Sequence, residues 1–139
     1  MSTRSRIAIK TETGYRSIYC HWDGYPTGVG KTLMDWWDTP EKIHNLMDLG
    51  DLSQLGDSIP ADPVWDTSIK GMQAYAYRGD YLPAVETKSL SGLEEEYTYV
   101  YRSDMCCWLV RHWIFKVGST GYQTVYSKLK EIYETQRTA

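Results

Sequence analysis

The sequence predicts a single α+β domain over residues 1–139, an antiparallel sheet of about five strands with helices on one face and an amphipathic C-terminal helix. Three observations carry this. Apolar residues alternate in residues 7–10, 15–22, 96–102 and 106–115. They recur at helical spacing in residues 31–47 and 122–133. Gly, Pro and Asp separate the two kinds of stretch.

Ile7 to Lys10 and Tyr15 to Trp22 form the first hairpin, turning at Thr13-Gly14. In its second strand Ile18, Cys20 and Trp22 share the core face, and Tyr19 and His21 share the other. Asp23 to Gly30 breaks all periodicity and reads as a loop. Lys31 to Asp38 follows as a helix with Leu33, Met34 and Trp37 on its apolar stripe, which turns Trp36 outward. Thr39 caps the next helix, Pro40 occupies its first position, and Gly50 stops it after Ile43, Leu46 and Met47. Asp51 to Ile59 reads as a further turn or short helix, and Met72 to Arg78 as a strand in a loop-rich middle bracketed by Pro60, Pro63 and Pro83. Glu96 to Arg102 and Cys106 to Phe115 are strands joined at Ser103-Asp104. Tyr122, Val125, Tyr126, Leu129, Ile132 and Tyr133 predict one helix capped at Ser119 or Thr120. The expected core is Ile7, Ile9, Ile18, Trp22, Leu33, Trp37, Ile43, Leu46, Val125, Leu129 and Ile132.

Composition excludes several function classes. With 42% hydrophobic and 24% charged residues the chain is neither disordered nor fibrous. A net charge of −3 gives no basic field for capturing duplex nucleic acid. No apolar run approaches the roughly 20 residues of a membrane span, and Ser2 to Arg6 leads into no signal-peptide core. Cys20 and the adjacent Cys106 and Cys107 do not make a secreted disulfide framework, and no metal-ligand spacing occurs. Free thiols of this kind fit a reducing cytoplasm. The twelve Tyr and six Trp against one Phe favour surfaces with an apolar body and a polar tip.

The segment Gly24 to Thr32 invites a phosphate-loop reading, but Gly24 sits one position too early for the Walker spacing before Gly30-Lys31-Thr32. A looser reading keeps Gly28, Gly30 and Lys31 as a loop aiming N–H groups and an ammonium at an anion. The plainer alternative is a strand-to-helix turn. His21 and Asp23 are the minimum for acid–base chemistry, yet no nucleophile accompanies them. His44 falls on a solvated helix face and His112 within a strand. Tyr97, Tyr99 and Tyr101 share one strand face, which packs beneath a helix or stacks bases. Glu94-Glu95-Glu96 reads as a solvated loop.

Met1-Ser2-Thr3-Arg4-Ser5, the run Ser17 to Pro26 (SIYCHWDGYP), Thr39 to Lys42, and Leu49 to Gly56 together resemble a family of small bacteriophage-encoded accessory proteins. The likeness covers roughly the first 60 residues and carries no catalytic residues across. It implies expression in a bacterial cytoplasm and a counter-defence role.

The function expected on these grounds is a non-enzymatic binder, without cofactor or metal, that sequesters a small nucleotide-derived immune signal. Tyr19, His21, Asp23, Tyr25, Gly28, Gly30 and Lys31 would bind it, with Arg16, Arg78 and Trp36 as further contacts and a homo-oligomer as a way to complete the pocket. A protein–protein inhibitor of a bacterial defence enzyme, using Trp36 and exposed tyrosines, is the alternative. A nucleotide or phosphodiester hydrolase using His21 and Asp23 is the second alternative. No membrane partner is expected.

Overall fold

The computed structural model describes residues 3–56, 75–76, 82–115 and 122–138. They form an α+β fold with strands β1 (Ser5–Lys10), β2 (Tyr15–Cys20), β3 (Leu52–Gln54), β4 (Tyr75–Ala76), β5 (Val85–Thr87), β6 (Tyr97–Arg102), β7 (Cys107–Phe115) and β8 (Tyr122–Lys128). The helices are α1 (Lys31–Trp36), α2 (Pro40–Met47) and α3 (Leu129–Thr138).

The sheet runs β4-β3-β2-β1-β6-β7-β8, with β5 pairing β2 off this path. Among the described residues it has eight strands rather than about five, and it is mixed rather than antiparallel. The long β1–β2, β6–β7 and β7–β8 pairs are antiparallel hairpin-like ladders. β1 meets β6 in parallel, and Cys20 of β2 meets Leu52 of β3 in parallel, because each partner returns after a long connection. Leu52 to Gln54 is therefore a strand where a turn or helix was expected. The open β2 edge offers it a ladder, and its carbonyls accept from His21 and Trp22 N–H at 3.0 Å each.

All three helices pack on one face. Ile7, Ile9, Ile18, Cys20, Tyr99, Tyr101, Trp108 and Val110 from the strands meet Leu33, Trp37, Ile43, Leu46, Met47 and Leu129 there. Ile132 packs at the edge of this core and Val125 is half-buried. The tyrosine row of β6 thus lies under helices. The opposite face carries a smaller cluster of Ala8, Leu90 and Val100 with Tyr15 against it. Thr39 Oγ1 accepts from Lys42 N–H at 3.3 Å, capping α2 as its sequence predicts.

Two further expectations change. The single C-terminal helix is a strand followed by a helix, since Tyr122 to Lys128 pairs along β7 from Leu109 to Phe115. That stretch, YQTVYSK, is rich in β-branched and aromatic residues, so an open ladder beside it outweighs its helical stripe. Its proposed caps Ser119 and Thr120, and most of the strand expected at Met72 to Arg78, lie outside the described residues. Trp22 is 47% exposed instead of buried. β2 ends at Cys20, and Asp23 then takes a left-handed φ of 57°, so the alternation that placed Trp22 inward stops before reaching it.

Cys20 is buried with its thiol pushed up to about 12, burial being the main cause, whereas Cys106 is exposed. An unfolded thiol loses its proton near pH 9 and the folded one keeps it, so this stability is complete below pH 9 and drains away towards pH 12. Urea unfolding of the native protein is expected to lose roughly 2 kcal/mol more between pH 8 and pH 10.5 than that of Cys20→Ala. Equal losses in both proteins would contradict this. Iodoacetamide at pH 8 is expected to label Cys106 in the folded protein and Cys20 only after denaturation.

Candidate functional site

The segment leaving β2 folds over the end of the sheet and enters α1 without a break. Pro26 to Gly30 is a π-helical turn leading straight into Lys31, not an irregular loop. Three of its amide hydrogens are spent on the chain just before it. Val29 N–H donates to the Asp23 carbonyl at 2.8 Å, and Gly28 and Gly30 N–H donate to the Tyr25 carbonyl at 2.9 and 3.5 Å. An anion-binding turn needs such groups pointing at the ligand, and these point at the chain itself.

The glycines have a different purpose. A Cβ on Gly24 would sit 2.6 Å from the Thr3 carbonyl oxygen, and one on Gly28 would sit 2.4 Å from that of Asp23. Backbone packs on backbone at both positions. At Gly30 a Cβ would meet Leu129 at 3.0 Å and the Tyr99 ring at 3.3 Å, so glycine lets the turn lie against the core. Tyr99, wholly buried, donates its hydroxyl to the Gly24 carbonyl at 2.6 Å. Burial raises its pKa well above the ordinary phenol range.

The expected site residues fall into three places. Tyr19 and His21 form one group, with the Tyr19 hydroxyl 2.7 Å from His21 Nδ1 and the Trp22 indole edge-on to the imidazole at 4.8 Å. Asp23 and Tyr25 form another, with the Tyr25 hydroxyl donating to Asp23 at 3.0 Å; that carboxylate is the main cause that raises the Tyr25 pKa. His21 and Asp23 are therefore held by different tyrosines. Asp23, Gly28 and Lys31 line a cleft of about 190 Å³ with Trp22, Thr32 and Gln54. Lys31 pairs with Asp35 one helical turn on and lies 5.8 Å from the Tyr133 ring centroid.

Arg16 is elsewhere. Its guanidinium bonds Asp48 at 2.6 Å and the His44 carbonyl at 3.2 Å, with His44 Nδ1 at 3.1 Å, which ties β2 to the end of α2. His44 is consequently half-buried rather than solvated. Arg78 lies outside the described residues. The acidic run is also less solvated than expected. Glu94 accepts from the Tyr126 hydroxyl at 2.6 Å and pairs with Arg111 at 3.3 Å.

What the segment does present is aromatic surface. Trp22, Tyr25 and Trp36 are 47%, 39% and 51% exposed. Trp22 and Thr32 both line the cleft, and Trp36 lies one turn beyond Thr32 on the same helix face. Trp36 was legible from its position beside the buried Trp37. Trp22 was not, because nothing local marks where β2 stops. Exposed Asp23, Asp35 and Asp38 lie within the same segment.

Among the described residues no helix is long and apolar enough to cross a membrane, and no group of three or more His, Cys, Asp or Glu side chains is placed to hold a metal ion. Comparison with protein-family models, curated proteins and solved structures returned no match.

Replacing Gly28 by Ala is expected to destabilise the fold by roughly 1–3 kcal/mol, because the new methyl meets a backbone oxygen that cannot rotate away. Urea titration with circular dichroism measures it. A change near zero would mean that the turn yields, and that Gly28 is not there for close packing.

Proposed function

We propose that the protein is a non-enzymatic counter-defence binder of phage type that docks on a bacterial defence protein through Trp22, Tyr25 and Trp36. The observation that carries this reading is the exposure of these three large aromatics on one short segment. An indole left half in water gains most when a partner desolvates it, and Trp and Tyr dominate the energetics of protein interfaces. The phage setting rests on the resemblance of the SIYCHWDGYP segment, and a bacterial cytoplasm follows from it.

A second reading, capture of a small nucleotide-derived signal, draws on the cleft lined by Trp22, Lys31 and Thr32. Its volume, about 190 Å³, is below the ~300 Å³ at which ligand pockets usually begin. The amides expected to grip phosphate are already bonded, so the protein-binding reading takes precedence. His21 Nδ1 contacts the Tyr19 hydroxyl and Asp23 accepts from the Tyr25 hydroxyl, so these contacts lend the hydrolase alternative no support.

Immobilised native protein is expected to retain a discrete protein from extracts of defence-bearing bacteria, and a Trp22→Ser/Trp36→Ser double variant to lose it. Loss of either indole should weaken the complex by about 2 kcal/mol or more, roughly thirtyfold. Equal retention by both proteins would refute the aromatic surface. Tight calorimetric binding of a cyclic oligonucleotide or an ADP-ribose derivative, abolished by Lys31→Ala, would favour the second reading instead.

A further inference from the structure

The sheet face opposite the helices carries a separate cleft of about 410 Å³, a volume typical of small-molecule sites. Its floor is apolar, with Leu90, Val100 and Leu109, and Tyr15 and Tyr126 stand at its walls. Three charged side chains line it as well: Lys88, Arg102 and Glu94. They come from the 88–94 segment after β5 and from β6, so distant parts of the chain converge on one cavity.

The charges are arranged unequally. Lys88 has no ion-pair partner among the described residues, and Arg102 holds Asp104 in a two-point pair, Nε at 3.1 Å and Nη2 at 2.8 Å, so it would meet an anion through Nη1. Glu94 is fixed from outside the cleft's apolar floor, accepting from Tyr126 and Arg111, and both contacts use Oε2. A carboxylate offers about four acceptor positions, more than these two contacts use, so Glu94 can accept from a donor brought by a ligand.

We infer that this cleft binds a nucleoside monophosphate bearing an exocyclic amino group. The flat base lies on Leu90, Val100 and Leu109 between the two tyrosine rings. The amino group donates to Glu94, and the phosphate takes Lys88 and Arg102. The chemistry of each wall matches one part of the ligand: apolar floor and aromatic sides for a ring, a preorganised carboxylate for an amino edge, ammonium and guanidinium for phosphate. A free sugar lacks a flat aromatic ring, and an inorganic anion leaves the apolar floor wet. This site is independent of the aromatic surface around Trp22, and neither assignment needs the other.

Calorimetric titration of the full chain with AMP, inosine monophosphate and adenosine tests the assignment. AMP is expected to bind with a dissociation constant on the order of 10–100 μM. Inosine monophosphate, which lacks the amino donor, and adenosine, which lacks phosphate, should each bind at least about tenfold more weakly. Lys88→Ala should cost AMP a similar factor, whereas Lys31→Ala, in the other cleft, should leave it unchanged. Lys88 is exposed, so its removal does not endanger folding. Backbone amide shifts of Leu90, Val100 and Leu109 on adding AMP would place the ligand in this cleft. The inference is overturned by no AMP binding at about 1 mM, by equal affinity for AMP and inosine monophosphate, or by binding that Lys31→Ala abolishes and Lys88→Ala does not.

Discussion

The hydroxyl of Tyr99 ties the exposed segment around Trp22 and Tyr25 to the buried core. Tyr99 sits in β6, between β1 and β7, with its ring sealed beneath the helices. A buried phenol without a partner costs about 1–3 kcal/mol, so the fold must deliver an acceptor to this point. It delivers the carbonyl of Gly24, at 2.6 Å. Gly24 N–H in turn donates to the Thr3 carbonyl at 2.8 Å, which fastens the same residue to the start of β1. Trp22, Tyr25 and the π-helical turn are positioned by this pair of bonds, and α1 starts where they leave the chain.

The same constraint explains the glycines that a sequence reader takes for a phosphate loop. The turn lies so close to Thr3, Asp23 and the Tyr99 ring that side chains at Gly24, Gly28 and Gly30 have no space. The amides that close approach brings together find the carbonyls of Asp23 and Tyr25, just before the turn. A strand, a glycine-rich turn and a helix in succession can therefore be a packing device. What separates it from a ligand loop is where its N–H groups point, and composition does not record that.

Legibility followed the periodicities. The β1–β2 hairpin, β6, β7 and α2 with its Thr39 cap were readable because apolar alternation, helical stripe and cap residues agreed with one another. Ile7, Ile9, Ile18, Leu33, Trp37, Ile43, Leu46 and Leu129 proved to be core for that reason. β3 and the parallel β1–β6 pairing were not readable, since both depend on a partner far along the chain. β8 was misread because its stripe suits a helix as well as a strand, and only the free edge of β7 decides between them. Of the site, Trp36 could be found from helical phase. Trp22 and the convergence of Tyr15, Lys88, Glu94, Arg102 and Tyr126 on one cleft could not, because each depends on tertiary placement.

Hydrogen exchange read by NMR tests the Tyr99–Gly24 tie most directly, at the amides of Gly28 and Val29 in the native protein and in Tyr99→Phe. The ring is retained in the variant, so only the hydroxyl bond is lost. The account predicts slow exchange of both amides in the native protein. It predicts faster exchange in the variant that is confined to residues 24–36, while β6 and β7 amides keep their protection. Exchange of Gly28 and Val29 at solvent-exposed rates in the native protein would contradict it, as would a loss of protection spread evenly over the sheet.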